Sequence, residues 1–416
     1  MSPGPRVSIP GCGNVQRATQ PASRPLPDFS TSLLPQSLSA GVQPAKLLLG
    51  KMFVTEPSKV LFVLGPRATI LRTTSTRKGL MRDNDEEGYN CLYSEEHYLN
   101  LNVFVPKDHL VNALHLIPVM VFIYGDEFRD GSNAMALYDA TNICAQSVRL
   151  GQPVVVMTIN YRLNYLGLMS SAELVEDINS DPRLSSLTSG SNNPHSKSIG
   201  NWGLLDQKLA LEWVRDHIHV FGGNSQDITA FSESAGAASI GYHMTIPEHH
   251  GLFQRAILQS GAVNTMPVGR AQIEGQRYFN HICKHFRLLD ALRMIPVKEL
   301  VKAGGRGRVV MFMPTIDDIL IHGDSRTDGE ASKISSEVVR DSVFLYPIHA
   351  TSRTWAVPVE MSRFHFDRPL KTLKKMGLQF LEAHHAAELL FVFGSDSALK
   401  MMTDEEQRLS RQMMEH

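Results

Sequence analysis

Residues 228–239, Ile-Thr-Ala-Phe-Ser-Glu-Ser-Ala-Gly-Ala-Ala-Ser, constrain the fold more than any other stretch of the chain. Strand formers run from Ile228 to Phe231, a Ser-Glu-Ser-Ala-Gly turn follows, and Ala235, Ala237 and Ala238 favour helix at once. The spacing predicts a strand, a sharp turn and a helix, with Ser234 at the apex. A serine held there lifts its Oγ clear of the sheet, and the backbone N–H of Ala235 at the helix start can hold an anionic oxygen. The string follows the pattern G-x-S-x-G, with Ser232 in place of the first glycine. The plainer alternative is a serine that caps the free backbone donors of a helix.

The remaining sequence must supply a frame for such a turn, and composition allows one. At 416 residues, 43% hydrophobic and 20% charged, the chain can bury a large core. A net charge of -1, from 41 basic and 42 acidic residues, gives no signal for nucleic acid or an anionic membrane. Cys12, Cys91, Cys144 and Cys283 stand far apart with no C-x-x-C pair, which argues against a zinc site and a disulfide framework. The N-terminus has no apolar signal core, and the apolar stretch 46–65 is interrupted by Lys51, Glu56, Pro57 and Lys59, too polar for a membrane span.

Eight of the 22 prolines fall before residue 45, so residues 1–45 read as disordered, with 46–97 as a poorly defined opening segment. Strands are expected at 59–64 and 69–73. From Tyr98 the pattern sharpens into apolar strand runs at 98–105, 118–124 and 153–160, with a helix between the last two from Ala134 to Arg149. A Ser/Asn/Pro/Gly-rich loop over 178–200 leads to an amphipathic helix over 203–221, which Gly222-Gly223-Asn224 ends. Gln254 to Gln259 reads as a strand, 271–304 as helical, Asp318 to His322 as a short strand, and 336–356 and 373–391 as helical. Alternation of strand and helix predicts a doubly wound, mostly parallel α/β sheet over 98–416.

A serine hydroxyl needs a histidine base, and that imidazole needs a carboxylate to fix its tautomer. Several strings occur in one order: Gly200-Asn-Trp-Gly-Leu-Leu-Asp-Gln-Lys-Leu-Ala-Leu-Glu-Trp-Val, Phe221-Gly-Gly-Asn, Ile228 to Ser239, and Gly251-Leu-Phe-Gln-Arg-Ala-Ile-Leu-Gln-Ser-Gly. With Asn160-Tyr-Arg-Leu-Asn-Tyr-Leu-Gly and Glu388-Leu-Leu-Phe-Val-Phe-Gly, they make residues 98–416 resemble the type-B carboxylesterases, a cholinesterase-like family of α/β-hydrolase fold, most of all its fungal members. The resemblance implies Ser234 as nucleophile, His385 as base three residues before Glu388, and a carboxylate between them in sequence. His384 competes for the base. Gly323-Asp-Ser-Arg-Thr-Asp-Gly matches the family's acid string if Asp328 replaces its glutamate, with Glu330 and Asp324 as alternatives. The pair His249-His250 reads as solvated, and a metal role for it is set aside.

The resemblance also implies an oxyanion hole from Gly125, Asp126, Glu127 and Ala235. The family carries glycines where this chain has Asp126 and Glu127, so two carboxylates are expected to crowd and repel the developing charge. The family's opening strings are altered, and its Trp-containing final helix is missing, which suggests truncation. The implied activity is hydrolysis of a small-molecule carboxylic ester without a cofactor. The alternative is a relative that has lost catalysis and binds a ligand or partner through the same scaffold.

Overall fold

In the computed structural model, the described residues are Val60–Val63, 99–106, 115–180, 200–262 and 385–415, with scattered positions around 109, 276–280, 295–296, 313–315, 320–321 and 362–371. The expected strand at 69–73, most of the expected helices after 270, and Cys12, Cys91 and Cys283 lie outside them. In chain order the strands are β1 (Val60–Val63), β2 (Leu101–Val105), β3 (Ile117–Ile123), β4 (Val155–Ile159), β5 (Gly223–Glu233) and β6 (Arg255–Gln259). The helices are α1 (Thr141–Arg149), α2 (Asn164–Leu168), α3 (Ala172–Ser180), α4 (Trp202–His217), α5 (Ser234–Thr245), α6 (Leu389–Phe393), α7 (Asp396–Met401) and α8 (Asp404–Glu415).

The strands form one sheet in the order β1-β2-β4-β3-β5-β6. β4, β3, β5 and β6 run parallel, while β1 and β2 pair antiparallel at one edge. The apolar runs read from the sequence become the buried centre: Val119, Val121, Phe122, Val155, Val156, Ile228 and Ala230 are wholly inaccessible. Such strands have no solvent face, which is why they lack clean alternation. β4 and β5 lie on opposite sides of β3, so the sheet order reverses there. The region beyond the carboxyl ends of β3 and β5 is the usual binding place in an open α/β sheet.

Two expected elements are corrected. The helix expected from Ala134 to Arg149 is split: Ala136–Tyr138 form a 3₁₀ turn, Asp139 is extended, and helix begins only at Thr141. Asp139 Oδ1 accepts the Thr141 N–H at 3.0 Å, a local bond that starts a helix rather than continuing one. At Leu320 and Ile321, within the strand expected at 318–322, the backbone is bent and both side chains are buried. A short apolar run does not separate a strand from a segment that only plugs the core. The helix expected over 203–221 is α4 followed by a 3₁₀ turn, and Gly222 ends it at φ 77°, a left-handed value that suits glycine.

Three polar ties hold the frame. Asp206, fully buried on α4, accepts from Arg162 Nε at 2.7 Å, from a terminal nitrogen of the same guanidinium at 2.9 Å and from Arg162 N at 3.0 Å, locking the exit of β4 onto α4. Asn201 exchanges two 2.8 Å hydrogen bonds with the backbone of Thr315, acting as a local stand-in for a strand partner. Glu406 is wholly buried: Oε2 accepts from Thr403 N at 2.8 Å and from Thr403 Oγ1 at 2.9 Å, and Oε1 accepts from Lys371 N at 2.6 Å. Thr403 Oγ1 accepts in turn from Glu406 N, which closes a capping box at the start of α8.

The C-terminal helices dock on the sheet through aromatic rings. Phe393 lies 4.8 Å from Phe122 on β3, and Phe122 lies 5.0 Å from Phe231 on β5 and 4.9 Å from Tyr138. Those edge and tilted contacts bring the turn before α6 to the ends of β3 and β5. Among the described residues, no helix is long and apolar enough to cross a membrane, and no group of three His, Cys, Asp or Glu could hold a metal ion.

Candidate active site

Ser234 stands where β5 turns into α5, with φ 56°. Left-handed backbone costs a non-glycine residue roughly 1–2 kcal/mol, and it is tolerated where the surroundings fix the turn. The surroundings here are very close. A β-carbon on Gly236 would lie 2.3 Å from Ile123 O and 2.8 Å from Tyr124 O, so only glycine lets α5 cross the end of β3. Ser232, where the common pattern has glycine, is fully buried, and its hydroxyl donates to Ile123 O. The substitution is therefore absorbed as a hydrogen bond between β5 and β3.

His385 Nε2 lies 2.7 Å from Ser234 Oγ, although the two residues are 151 positions apart in sequence. His385 sits in the turn that leads to α6, with the following Ala386 at φ 67°. The same nitrogen is 2.9 Å from Oε1 of the buried Glu233. The two contacts ask for opposite states of Nε2. To take a proton from Ser234 it must present a lone pair, whereas Glu233 attracts it only when it carries a proton. After proton transfer from Ser234, the proton on Nε2 faces the Glu233 carboxylate. Sequence reasoning gave Glu233 no role; its signal was its place immediately before the apex serine.

A second carboxyl lies beneath. Glu388 is buried, and burial together with the Glu233 charge pushes it up from 4.5 to about 7. It had served only as a landmark for His385. Between the ordinary and shifted values the folded protein holds a proton that the unfolded chain releases. Stability from this group is therefore complete below about pH 4.5 and is lost as pH rises through about 7. Glu388→Gln, neutral at every pH, is expected to gain about 3 kcal/mol relative to the parent between pH 4 and 8, at about 1.4 kcal/mol per unit. Urea melts at the two pH values measure this; a parent-to-variant difference that does not change with pH contradicts it.

The loop after β3 forms the other wall. A β-carbon on Gly125 would lie 2.5 Å from Glu233 O, 3.0 Å from Ser234 Cβ and 3.3 Å from Ala235 N, so Gly125 backs directly onto the elbow. Asp126, Glu127 and Phe128 follow with φ of 61°, 60° and 57°. Three successive non-glycine residues thus hold the left-handed backbone that glycine adopts without cost. The crowding expected of the two carboxylates is eased on one side. Arg129 bonds Glu127 Oε2 at 3.0 Å and Asp130 Oδ2 at 2.9 Å, drawing Glu127 into an ion pair. Backbone bonds from Arg129 N and Asp130 N to Asp126 O close the turn.

Of the residues read from the sequence, Ser234, His385, Gly125, Asp126, Glu127 and Ala235 lie around the carboxyl ends of β3 and β5. Asp328, Glu330, Asp324 and His384 lie outside the described residues. His249, expected to be solvated, is buried: its Nδ1 is 2.8 Å from Nδ1 of the equally buried His243 on α5. His243 Nε2 meets Gln207 Oε1 at 2.9 Å, and burial with the nearby Lys208 lowers His243 to about 3. The pair is a core contact formed because the 247–249 turn folds under α5. His250 is the exposed member.

Comparison with known proteins identifies the family and the fold. A para-nitrobenzyl esterase of Bacillus subtilis is 29% identical over 392 residues, 77% of this chain and 71% of that one. An acetylcholinesterase of Bungarus fasciatus is 32% identical over 323 residues, 70% of this chain and 46% of the relative. One of Danio rerio is 41% identical over 176 residues, 42% of this chain and 22% of the relative. The chain thus spans less than half the length of these acetylcholinesterases. A solved structure of a PNB esterase superposes with a TM-score of 0.60 at 24% identity, covering 89% of both chains, which identifies the sheet and its flanking helices as an α/β-hydrolase fold. The model of the carboxylesterase family matches residues 67–179 and 183–327, more than half of the chain and the whole elbow, and the chain belongs to the carboxylesterase family.

Proposed function

We propose that the protein hydrolyses small-molecule carboxylic esters through an acyl-enzyme on Ser234. The observation that carries this reading is the 2.7 Å contact between Ser234 Oγ and His385 Nε2 at a strained strand-to-helix apex. Ser234 Oγ attacks the ester carbonyl as its proton passes to Nε2. The carbonyl oxygen becomes an oxyanion facing the N–H of Ala235 and the backbone of Gly125, Asp126 and Glu127. Collapse expels the alcohol, which leaves with the proton from Nε2, and the acyl group remains on Oγ. Water then repeats the step, releasing the acid and the free serine. Asp328, the acid implied by the sequence, is assigned to orient His385, and the Glu233 carboxylate lies 2.9 Å from Nε2.

A fluorophosphonate is expected to label Ser234 with a stoichiometry near one, identified by peptide mass. Absence of labelling in a cooperatively melting sample defeats the proposal. A second reading, a family relative without catalysis, is favoured by the left-handed non-glycine run at Asp126, Glu127 and Phe128.

A further inference from the structure

Tyr161 follows β4 and is buried, with its ring stacked on Tyr124 at 4.7 Å. Its hydroxyl donates to Tyr124 O at 2.8 Å and, more weakly, to Gly125 O at 3.4 Å. These carbonyls belong to the first two peptide groups of the loop after β3. A trans peptide is planar, with C=O and N–H pointing in opposite directions. Fixing the Tyr124 carbonyl therefore fixes the Gly125 N–H, and fixing the Gly125 carbonyl fixes the Asp126 N–H. Gly125 itself backs onto Ser234 and Ala235. Burial holds the phenol far above its ordinary range, so the hydroxyl remains a donor at every working pH.

From these contacts we infer that Tyr161 is a positioning residue for the oxyanion hole, its hydroxyl aiming the peptide groups at 124–126 so that their N–H donors converge on Ser234. The inference rests on the acyl-enzyme reading above. It supplies what the sequence leaves unexplained: a loop without its glycines has a support from outside itself, carried by the segment that follows the neighbouring strand β4. The reciprocal bond, from Tyr124 OH to Tyr161 O at 3.3 Å, holds the ring stack and leaves the loop carbonyls alone.

The test compares the full chain with Tyr161→Phe, which keeps the stacked ring and deletes the donor. With 4-nitrophenyl acetate, kcat is expected to fall by about 10- to 100-fold, short of the complete loss of an oxyanion donor, while KM stays within about twofold. An aryl trifluoromethyl ketone, whose adduct with Ser234 places an oxyanion in the hole, should weaken by the same factor. A merely structural hydroxyl would not move kcat and this inhibitor in step. Equal kcat in the two proteins overturns the inference and leaves the ester-hydrolase reading intact, as does loss of a cooperative melt in the variant. A parent chain with neither turnover nor labelling of Ser234 fails the ester-hydrolase reading first and removes the inference with it.

Discussion

Ser234→Ala is expected to lower kcat for an activated ester by about 10⁴- to 10⁶-fold while the protein melts at the parent temperature or slightly above it. The loss is that large because nucleophile and base act as a unit, and removing one leaves only the binding and electrostatic contribution. Stability is predicted to hold because nothing in the core depends on Oγ. The hydroxyl's contact is with His385, whose side chain is about a third exposed. Alanine still inherits φ 56°, so the strain of the elbow persists in the variant. The comparison is a turnover assay beside a thermal melt. Residual hydrolysis within tenfold of the parent would mean that the ester is cleaved elsewhere on the molecule.

The second large effect is a gain. Replacing Asp126 and Glu127 together with glycine is expected to raise kcat by about 10²-fold, near the lower end of what a good oxyanion donor contributes. Two causes add. Glycine adopts φ near 60° without steric cost, so the loop can place its N–H groups without strain. Removing two carboxylates also removes repulsion of the forming charge, which in the parent Arg129 offsets through its ion pair with Glu127. Stability should change little, because relief of left-handed strain, roughly 1–2 kcal/mol per residue, is offset by the greater chain entropy of unfolded glycine. A tenfold or smaller gain would mean that the parent loop is already competent. A gain from an undetectable parent rate would support the reading of a relative that had lost catalysis.

Much of the site was legible because its determinants are local. The elbow reads directly from Ile228 to Ala238, since β-branched residues, a small-residue turn and an alanine run each prefer their own conformation. The strands at 118–124 and 153–160 were equally plain, and their borders shifted by only one or two residues. What stayed hidden depends on tertiary encounter. Nothing near His249 in sequence announces that its turn folds under α5 against His243. Glu233 and Glu388 are 155 positions apart, and neither reads as functional until both are buried beside His385. Tyr161 was visible within a family string, but its purpose depends on carbonyls that belong to another strand. Asp126 and Glu127 stood out in the sequence against the family's glycines; their left-handed backbone and the Arg129 counter-charge required coordinates.

The docking of Phe393 against Phe122 and Phe231 has a consequence in time as well as in space. The last of the described strands, β6, is made once residue 259 has been added, yet His385 is still 126 residues away. At 5–20 residues per second of synthesis, about 6–25 s separate a finished frame from an equipped nucleophile. Through that interval the growing polypeptide carries Ser234 without His385. On the acyl-enzyme proposal, labelling at Ser234 is expected to appear only after the aromatic latch has docked, which a fluorophosphonate added to stalled chains of increasing length would measure.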